Sequence, residues 1–263
     1  MKTAAMTPLS IVILEGSAKT QSWSPDPRLE DRVISLWALE VKHAPVRFRT
    51  VPDGQIDLIF NLDSASAHVT APVRETREFV HDRPVRLFGA SLASPYAVEL
   101  LGHPLNNFGA EWTDLSVLTS GAADDWISAV AMAPNAAARV ALAEAVFLAR
   151  PGATDPRVTR ALGELGKGSP VTRTGKASGA SERTLGRLFH HWVGMPPKTF
   201  SRILRVQNAV AHLRTGPVPL KQLAADAGFA DQAHMNREIL AMTGMTPGEL
   251  ADLFKASADL FKI

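Results

Sequence analysis

The 263-residue chain contains no cysteine. That excludes disulfide scaffolds, thiolate metal sites and a cysteine nucleophile, and it fits a reducing compartment. Long apolar runs are also missing: none approaches the ~20 residues needed to span a bilayer. The short apolar patch at 9–14 stops at Glu15, and no signal-peptide pattern follows it. Catalytic patterns are equally scarce. His43, His68, His81 and His103 form no His-x-His or His-x-x-x-His pair suited to a metal. Ser17 and Ser64 have no Gly-x-Ser-x-Gly context, which a hydrolase nucleophile elbow requires. No Gly-rich phosphate loop is present. These absences set the expectation of a soluble, cytoplasmic protein with no metal and no cofactor.

What is present is a hydrophobic fraction of 46%, enough for a core in each half, and an uneven charge. Residues 1–156 hold 13 Lys/Arg against 18 Asp/Glu, whereas residues 157–255 hold 14 against 7. The overall +2 therefore hides an acidic and a basic part. Length allows one large domain or two ordinary ones of roughly 100–200 residues each. A basic part of this kind is a candidate for a polyanionic partner.

Three zones differ in pattern. From about 30 to 120, short apolar runs at 46–51, 56–62, 85–88 and 115–118 alternate with turns. Pro52-Asp53-Gly54 suits a tight turn, because proline fixes φ and glycine accepts positive φ. This zone reads as mostly β, a small barrel or sandwich with loops. Trp23, Trp37 and Trp112 are read as aromatic core rather than as a pocket lining. Residues 121–165 carry Ala-rich helical patterns at 124–132, 135–148 and 155–165, with Pro134, Pro151 and Pro156 at their boundaries, where proline is tolerated. Gly166-Lys167-Gly168-Ser169-Pro170 then interrupts the pattern as a hinge or an inter-helix turn. Residues 171–255 are helical and basic.

Within this last zone one pattern occurs twice. The first copy runs from Gly179 through Ser181 to Phe189, then Gly194-Met195-Pro196-Pro197. The second runs from Gly228 through Asp231 to Ile239, then Gly244-Met245-Thr246-Pro247. Ser181 and Asp231 are good N-caps, since their side-chain oxygens accept orphan backbone N–H bonds. The glycine before each cap permits a sharp turn between helices. Leu185 and Phe189, like Met235 and Ile239, are spaced i, i+4 and mark a buried face. Arg183 and Arg187 share another face. Alone, two arginines there would read as a solvated charged surface. A helix, a glycine turn and a second helix with Arg, Gln and Asn outward is helix-turn-helix geometry. Arg pairs with guanine and Asn or Gln with adenine in the major groove. Two copies in the basic segment strengthen that reading.

On these residues the segment 165–255 resembles the DNA-binding domain of the AraC/XylS family of bacterial transcription regulators. The resemblance rests on Ser181, Arg183, Leu185, Arg187, Phe189, Gly194, Pro197 and Phe200, on Arg205, Ala209 and Leu213, and on Leu220, Leu223, Ala224, Gly228, Phe229, Arg237, Gly244 and Pro247. It implies two helix-turn-helix units joined by one helix over 198–215, about 27 Å long at 1.5 Å per residue. That places the reading helices near one DNA turn, ~34 Å, apart. Carried over by position, the resemblance implies base contact by Arg183, Thr184 and Arg187 in the first unit, and by Gln232, His234, Asn236 and Arg237 in the second. It implies phosphate contact by Lys198, Arg202, Arg214 and Lys221. Three features depart from the family. Thr174 and Gly175 stand where an apolar residue and Ala are usual, Gly186 removes a side chain from the first reading helix, and Met235 and Ile239 replace aromatics. The first unit is therefore expected to be the looser of the two, which leaves its share of specificity open.

The segment 37–118, above all 51–60, resembles the N-terminal sensor domain of full-length relatives. The expected fold class is thus α+β: a β-rich, barrel-like (cupin-like) regulatory domain at 1–120, a helical connector at 121–165, and an all-α double helix-turn-helix domain at 166–263. Double-stranded DNA is the expected partner, with a small-molecule effector, a second copy of the chain and RNA polymerase as further ones, and no membrane. The competing reading is an enzyme, metal-dependent or not, with a catalytic N-terminal barrel and an accessory DNA-binding domain. A repair alkyl transferase built on this type of DNA-binding domain would need an acceptor cysteine, which the chain lacks. A third reading gives the N-terminal domain only a dimerising role.

Overall fold

A computed structural model of the chain describes residues 11–108, 112–150 and 152–257. Pro151 and the start of the first apolar patch, residues 9–10, lie outside them. Among the described residues, the N-terminal part contains nine strands: β1 (Ile11–Glu15), β2 (Lys19–Trp23), β3 (Val33–Val41), β4 (Val46–Thr50), β5 (Gln55–Asn61), β6 (Ser66–Thr70), β7 (Arg77–His81), β8 (Val85–Ala93) and β9 (Trp112–Asp114). They form two antiparallel sheets rather than one closed barrel, with orders β1-β4-β7 and β2-β3-β8-β5-β6-β9. β8 is buried from Leu87 to Leu92 because both of its faces are covered, which accounts for its nearly continuous apolar run.

One face of the large sheet packs on helices. Ile56, Leu58, Phe60 and Phe88 meet Tyr96, Ile127, Val130 and Phe147. These come from α1 (Ser94–Leu101), α3 (Asp124–Met132) and α4 (Ala136–Ala149). The other face supplies Trp37, Leu39, Val41 and Leu87, which pack with Val46 and Phe48 of the small sheet. The apolar run at 115–118, expected within the β zone, is instead the short helix α2 (Leu115–Leu118). Asp114 caps it by accepting from the Ser116 and Val117 amides at 2.8 and 3.2 Å. α1 has no counterpart in the sequence reading. Its Pro95 sits in the first turn, where the missing N–H costs nothing.

The expected connector divides. α3 and α4 belong to the N-terminal core. α5 (Pro156–Gly166) packs through Val158, Ala161 and Leu165 into the C-terminal core instead. The 166–170 break is the turn from α5 to α6 (Val171–Ser178). Then follow α7 (Glu182–Trp192), α8 (Pro197–Thr215), α9 (Leu220–Asp226), α10 (Gln232–Thr243) and α11 (Pro247–Ser257). One continuous core runs from Val158 to Leu250 and takes in both copies of the duplicated pattern. Among the described residues, no helix is long and apolar enough to cross a membrane.

A polar row crosses three neighbouring strands of the large sheet, β3, β8 and β5. The Trp37 indole Nε1 donates to Ser91 Oγ at 3.1 Å, and that hydroxyl donates to Asp57 Oδ1 at 2.6 Å. Burial pushes the Asp57 carboxyl up to about 7, the Asp53 charge adds to the rise, and the bonds from Ser91 and Trp37 oppose it. Asp53 belongs to the turn Pro52-Asp53-Gly54, with Gly54 at φ +71°. That turn touches the C-terminal domain: the Gln207 amide of α8 donates to Pro52 O, and the Phe200 ring lies against Gly54.

Candidate nucleic-acid interface

Each helix-turn-helix unit is built from a short helix, a glycine turn and a capped second helix. In the first unit α6 ends at Gly179 with φ +72°, and Ser181 Oγ accepts from the Thr184 amide at 3.2 Å to start α7. In the second, Gly228 at φ +80° follows α9, and Asp231 Oδ1 accepts from the His234 amide at 2.7 Å to start α10. Both expected caps are therefore in place. Leu185 and Phe189, and likewise Met235 and Ile239, are fully buried. The replacement of aromatics by Met235 and Ile239 thus leaves the core filled.

The departures in α6 have a local cause. Thr174 is buried, and its hydroxyl donates to Pro170 O at 3.0 Å, so its polar atom is satisfied within the helix. At Gly175 a Cβ would stand 3.1 Å from Ala180 O. The turn approaches the helix so closely that even alanine is tight. Gly186 differs: a Cβ there would meet nothing within 4 Å.

α8 joins the units with 19 residues, about 28 Å at 1.5 Å per residue. α7 and α10 both pack on it. Of the candidate base readers, Arg183, Arg187, Gln232 and Arg237 are exposed. Thr184, His234 and Asn236 are only partly so. The Thr184 hydroxyl lies 2.9 Å from Ser181 Oγ. His234 stands edge-on to Phe229 with ring centroids 5.6 Å apart, and its Nδ1 accepts from the Ala230 amide at 3.4 Å. Asn236 Oδ1 is buried without a protein partner. These three side chains serve the turn and helix packing as well as the surface.

The candidate phosphate contacts also separate into two kinds. Lys198 and Lys221 are exposed. Arg202 instead pairs with Glu238 of α10, Nε to Oε2 at 2.7 Å, which ties the linking helix to the second reading helix. Burial would raise the Glu238 carboxyl, but Arg202's hydrogen bond and charge outweigh it and hold the group below its usual value. The Arg214 guanidinium lies over the Phe254 ring, 4.8 Å from its centroid, and burial lowers its pKa. Sequence reasoning missed Glu238 because its partner is 36 residues away, and no local spacing marks such a pair.

The N-terminal domain holds this unit from one side. Trp192, at the end of α7, packs into both large cores. Arg74, in the segment 71–76 between β6 and β7, donates to Gly194 O.

Residues 175–252 match a family model described as a helix-turn-helix domain. Residues 21–114 match a model described as a domain of unknown function. No curated protein matches the chain. Among solved structures, it is similar to a transcriptional regulator with an AraC-type DNA-binding domain from Chromobacterium violaceum. That likeness is 22% identical and covers 38% of this chain and 92% of the other, with a TM-score of 0.36. It is also similar to an apo variant of ToxT from Vibrio cholerae. There the identity is 10%, the coverage 93% of this chain and 96% of the other, and the TM-score 0.44.

Proposed function

We propose that the chain is a DNA-binding transcriptional regulator of the AraC/XylS family, a reading its helix-turn-helix domain at 175–252 supports, and that it reads its site as follows. The exposed arginines Arg183 and Arg187 of α7 read one major-groove segment. Gln232 and Arg237 of α10 read the next. Arginine suits guanine O6/N7 and glutamine suits adenine N6/N7, each through two hydrogen bonds. Thr184, His234 and Asn236 shape the edges of these surfaces. Lys198 and Lys221 neutralise phosphates, a contribution independent of sequence. Arg202 and Arg214 contribute through helix packing, as their contacts with Glu238 and Phe254 support.

The carrying observation is the pair of capped helices with exposed Arg and Gln side chains that both pack on one linking helix in the basic half of the chain. The N-terminal domain takes the regulatory role. A small-molecule effector and a second copy of the chain are its partners, and RNA polymerase is the partner at the promoter. The enzyme reading is not favoured, since the part of the chain with a matched function is the DNA-reading one.

Selection of bound duplexes from a randomised pool by the full chain tests this proposal. Two short motifs about one helical turn apart, 10–10.5 base pairs centre to centre, are expected. Recovery of a single motif, or of no consensus, contradicts it.

A further inference from the structure

The two helix-turn-helix units leave their reading helices through equivalent turns. α7 ends before Gly194-Met195-Pro196-Pro197, and α10 ends at Gly244-Met245-Thr246-Pro247. Both glycines adopt positive φ, +74° and +69°, a conformation that L side chains rarely adopt. The segment 71–76 of the N-terminal domain lies against both turns. At the first, a Cβ on Gly194 would stand 2.6 Å from Pro72 Cγ and 3.1 Å from Leu105 Cβ. Arg74 donates to the Gly194 carbonyl. At the second, the corresponding point on Gly244 is 3.6 Å from Arg49 Nη1 and 3.7 Å from Thr76 Cγ2.

The gripping residues are themselves fixed to the small sheet. The Thr76 hydroxyl donates to Thr50 O at 2.7 Å, and the Arg77 amide donates to Thr50 Oγ1 at 3.0 Å. Arg49 Nε donates to Glu78 Oε1 at 3.1 Å. One end of the segment is thus sewn to β4, and Pro72 is buried. A six-residue strap on a rigid sheet touches the same structural position in both copies of a duplicated unit.

We propose that the strap 71–76, through Pro72, Arg74 and Thr76 with Arg49 beside it, is a positioning clamp. It sets the orientation of the two DNA-reading helices relative to each other, and so the spacing between the two half-motifs that the protein accepts. The proposal rests on the reading of α7 and α10 as DNA readers. None of these four residues needs to touch DNA. They act through the exit turns, at the opposite end of each reading helix from its cap. Any event in the N-terminal domain that displaces the strap would change the two units together.

The absence of native cysteine gives a direct test on the full chain without DNA. His190→Cys and Leu240→Cys place spin labels on exposed positions of α7 and α10. Lys176→Cys with His190→Cys places them within the first unit as a control. In the parent the 190–240 distance distribution is expected to be narrow. Pro72→Gly with Arg74→Ala should broaden and shift it while the 176–190 distribution stays unchanged. Arg74→Lys, which keeps a donor for Gly194 O, should preserve the narrow distribution. On selected duplexes the double variant should accept several half-motif spacings where the parent accepts one, with each half-motif unaltered. An unchanged 190–240 distribution would overturn the proposal, because the shared core and α8 would then fix the geometry alone. Equal broadening of both pairs would overturn it too, since the strap would then only support the fold of the unit. Neither result depends on whether the chain binds DNA, so failure of the clamp and failure of the DNA reading are told apart.

Discussion

At the scale of single residues, two glycines in the first unit behave oppositely. Gly175 is held by close approach of the Ala180 carbonyl, and Gly186 faces open space in the middle of α7. Gly186→Ala should therefore stabilise the chain by about 0.5–1 kcal/mol, the propensity difference between glycine and alanine in a helix interior. Urea unfolding would show it as a higher midpoint with an unchanged m-value. Gly175→Ala should bring no such gain. The missing side chain at 186 also bears on recognition. α7 offers Arg183 and Arg187 across a gap, while α10 offers Gln232 and Arg237. Arg237→Ala is expected to cost more specific affinity than Arg187→Ala, with each bidentate contact worth about 1–3 kcal/mol of discrimination. Competition titrations on a selected duplex against a scrambled one measure this. Equal losses, or a larger loss at Arg187, would remove the asymmetry.

At the scale of elements, Asp57 on β5 links ionisation to stability. Its folded-state pKa lies above the ordinary carboxylate value of 3.8, at about 7. Between those values the folded protein binds more protons than the unfolded chain, so stability falls as pH rises from about 4 to about 7 and then levels off. Asp57→Asn should flatten that slope and leave the variant more stable than the parent at pH 8, as thermal unfolding across this range would show. A slope that survives the substitution would place its origin elsewhere. The network behind this behaviour joins β3, β5 and β8, and no sequence window contains all three. The duplicated units were legible for the opposite reason. Ser181 and Asp231 cap helices three residues away, and the paired i, i+4 apolar residues fix the buried face locally. The run 115–118, Leu-Ser-Val-Leu, misled because so short a stretch shows no period. The Asp114 cap, not hydrophobicity, decides for a helix there. The Arg202–Glu238 pair and the strap contacts at Gly194 and Gly244 arise from chain folding across long separations, so spacing carried no trace of them.

At the scale of the whole molecule, the net charge of +2 is the sum of an acidic sheet-and-helix domain and a basic reading domain. The two bodies meet at Trp192, at the turn 52–54 and at the strap 71–76. Each junction bears on α7, α8 or the turns that follow the reading helices, none on the caps Ser181 and Asp231. The N-terminal domain thus grips the DNA-reading domain from behind, which leaves the exposed arginines free for a duplex. The account stands or falls on binding by the full chain. Affinity for a selected duplex, measured at several salt concentrations, should fall linearly on a log–log plot, with a slope near −0.9 per phosphate neutralised. Specific affinity should exceed that for a scrambled duplex throughout. Binding no stronger than background, or binding that salt leaves unchanged, would contradict the account.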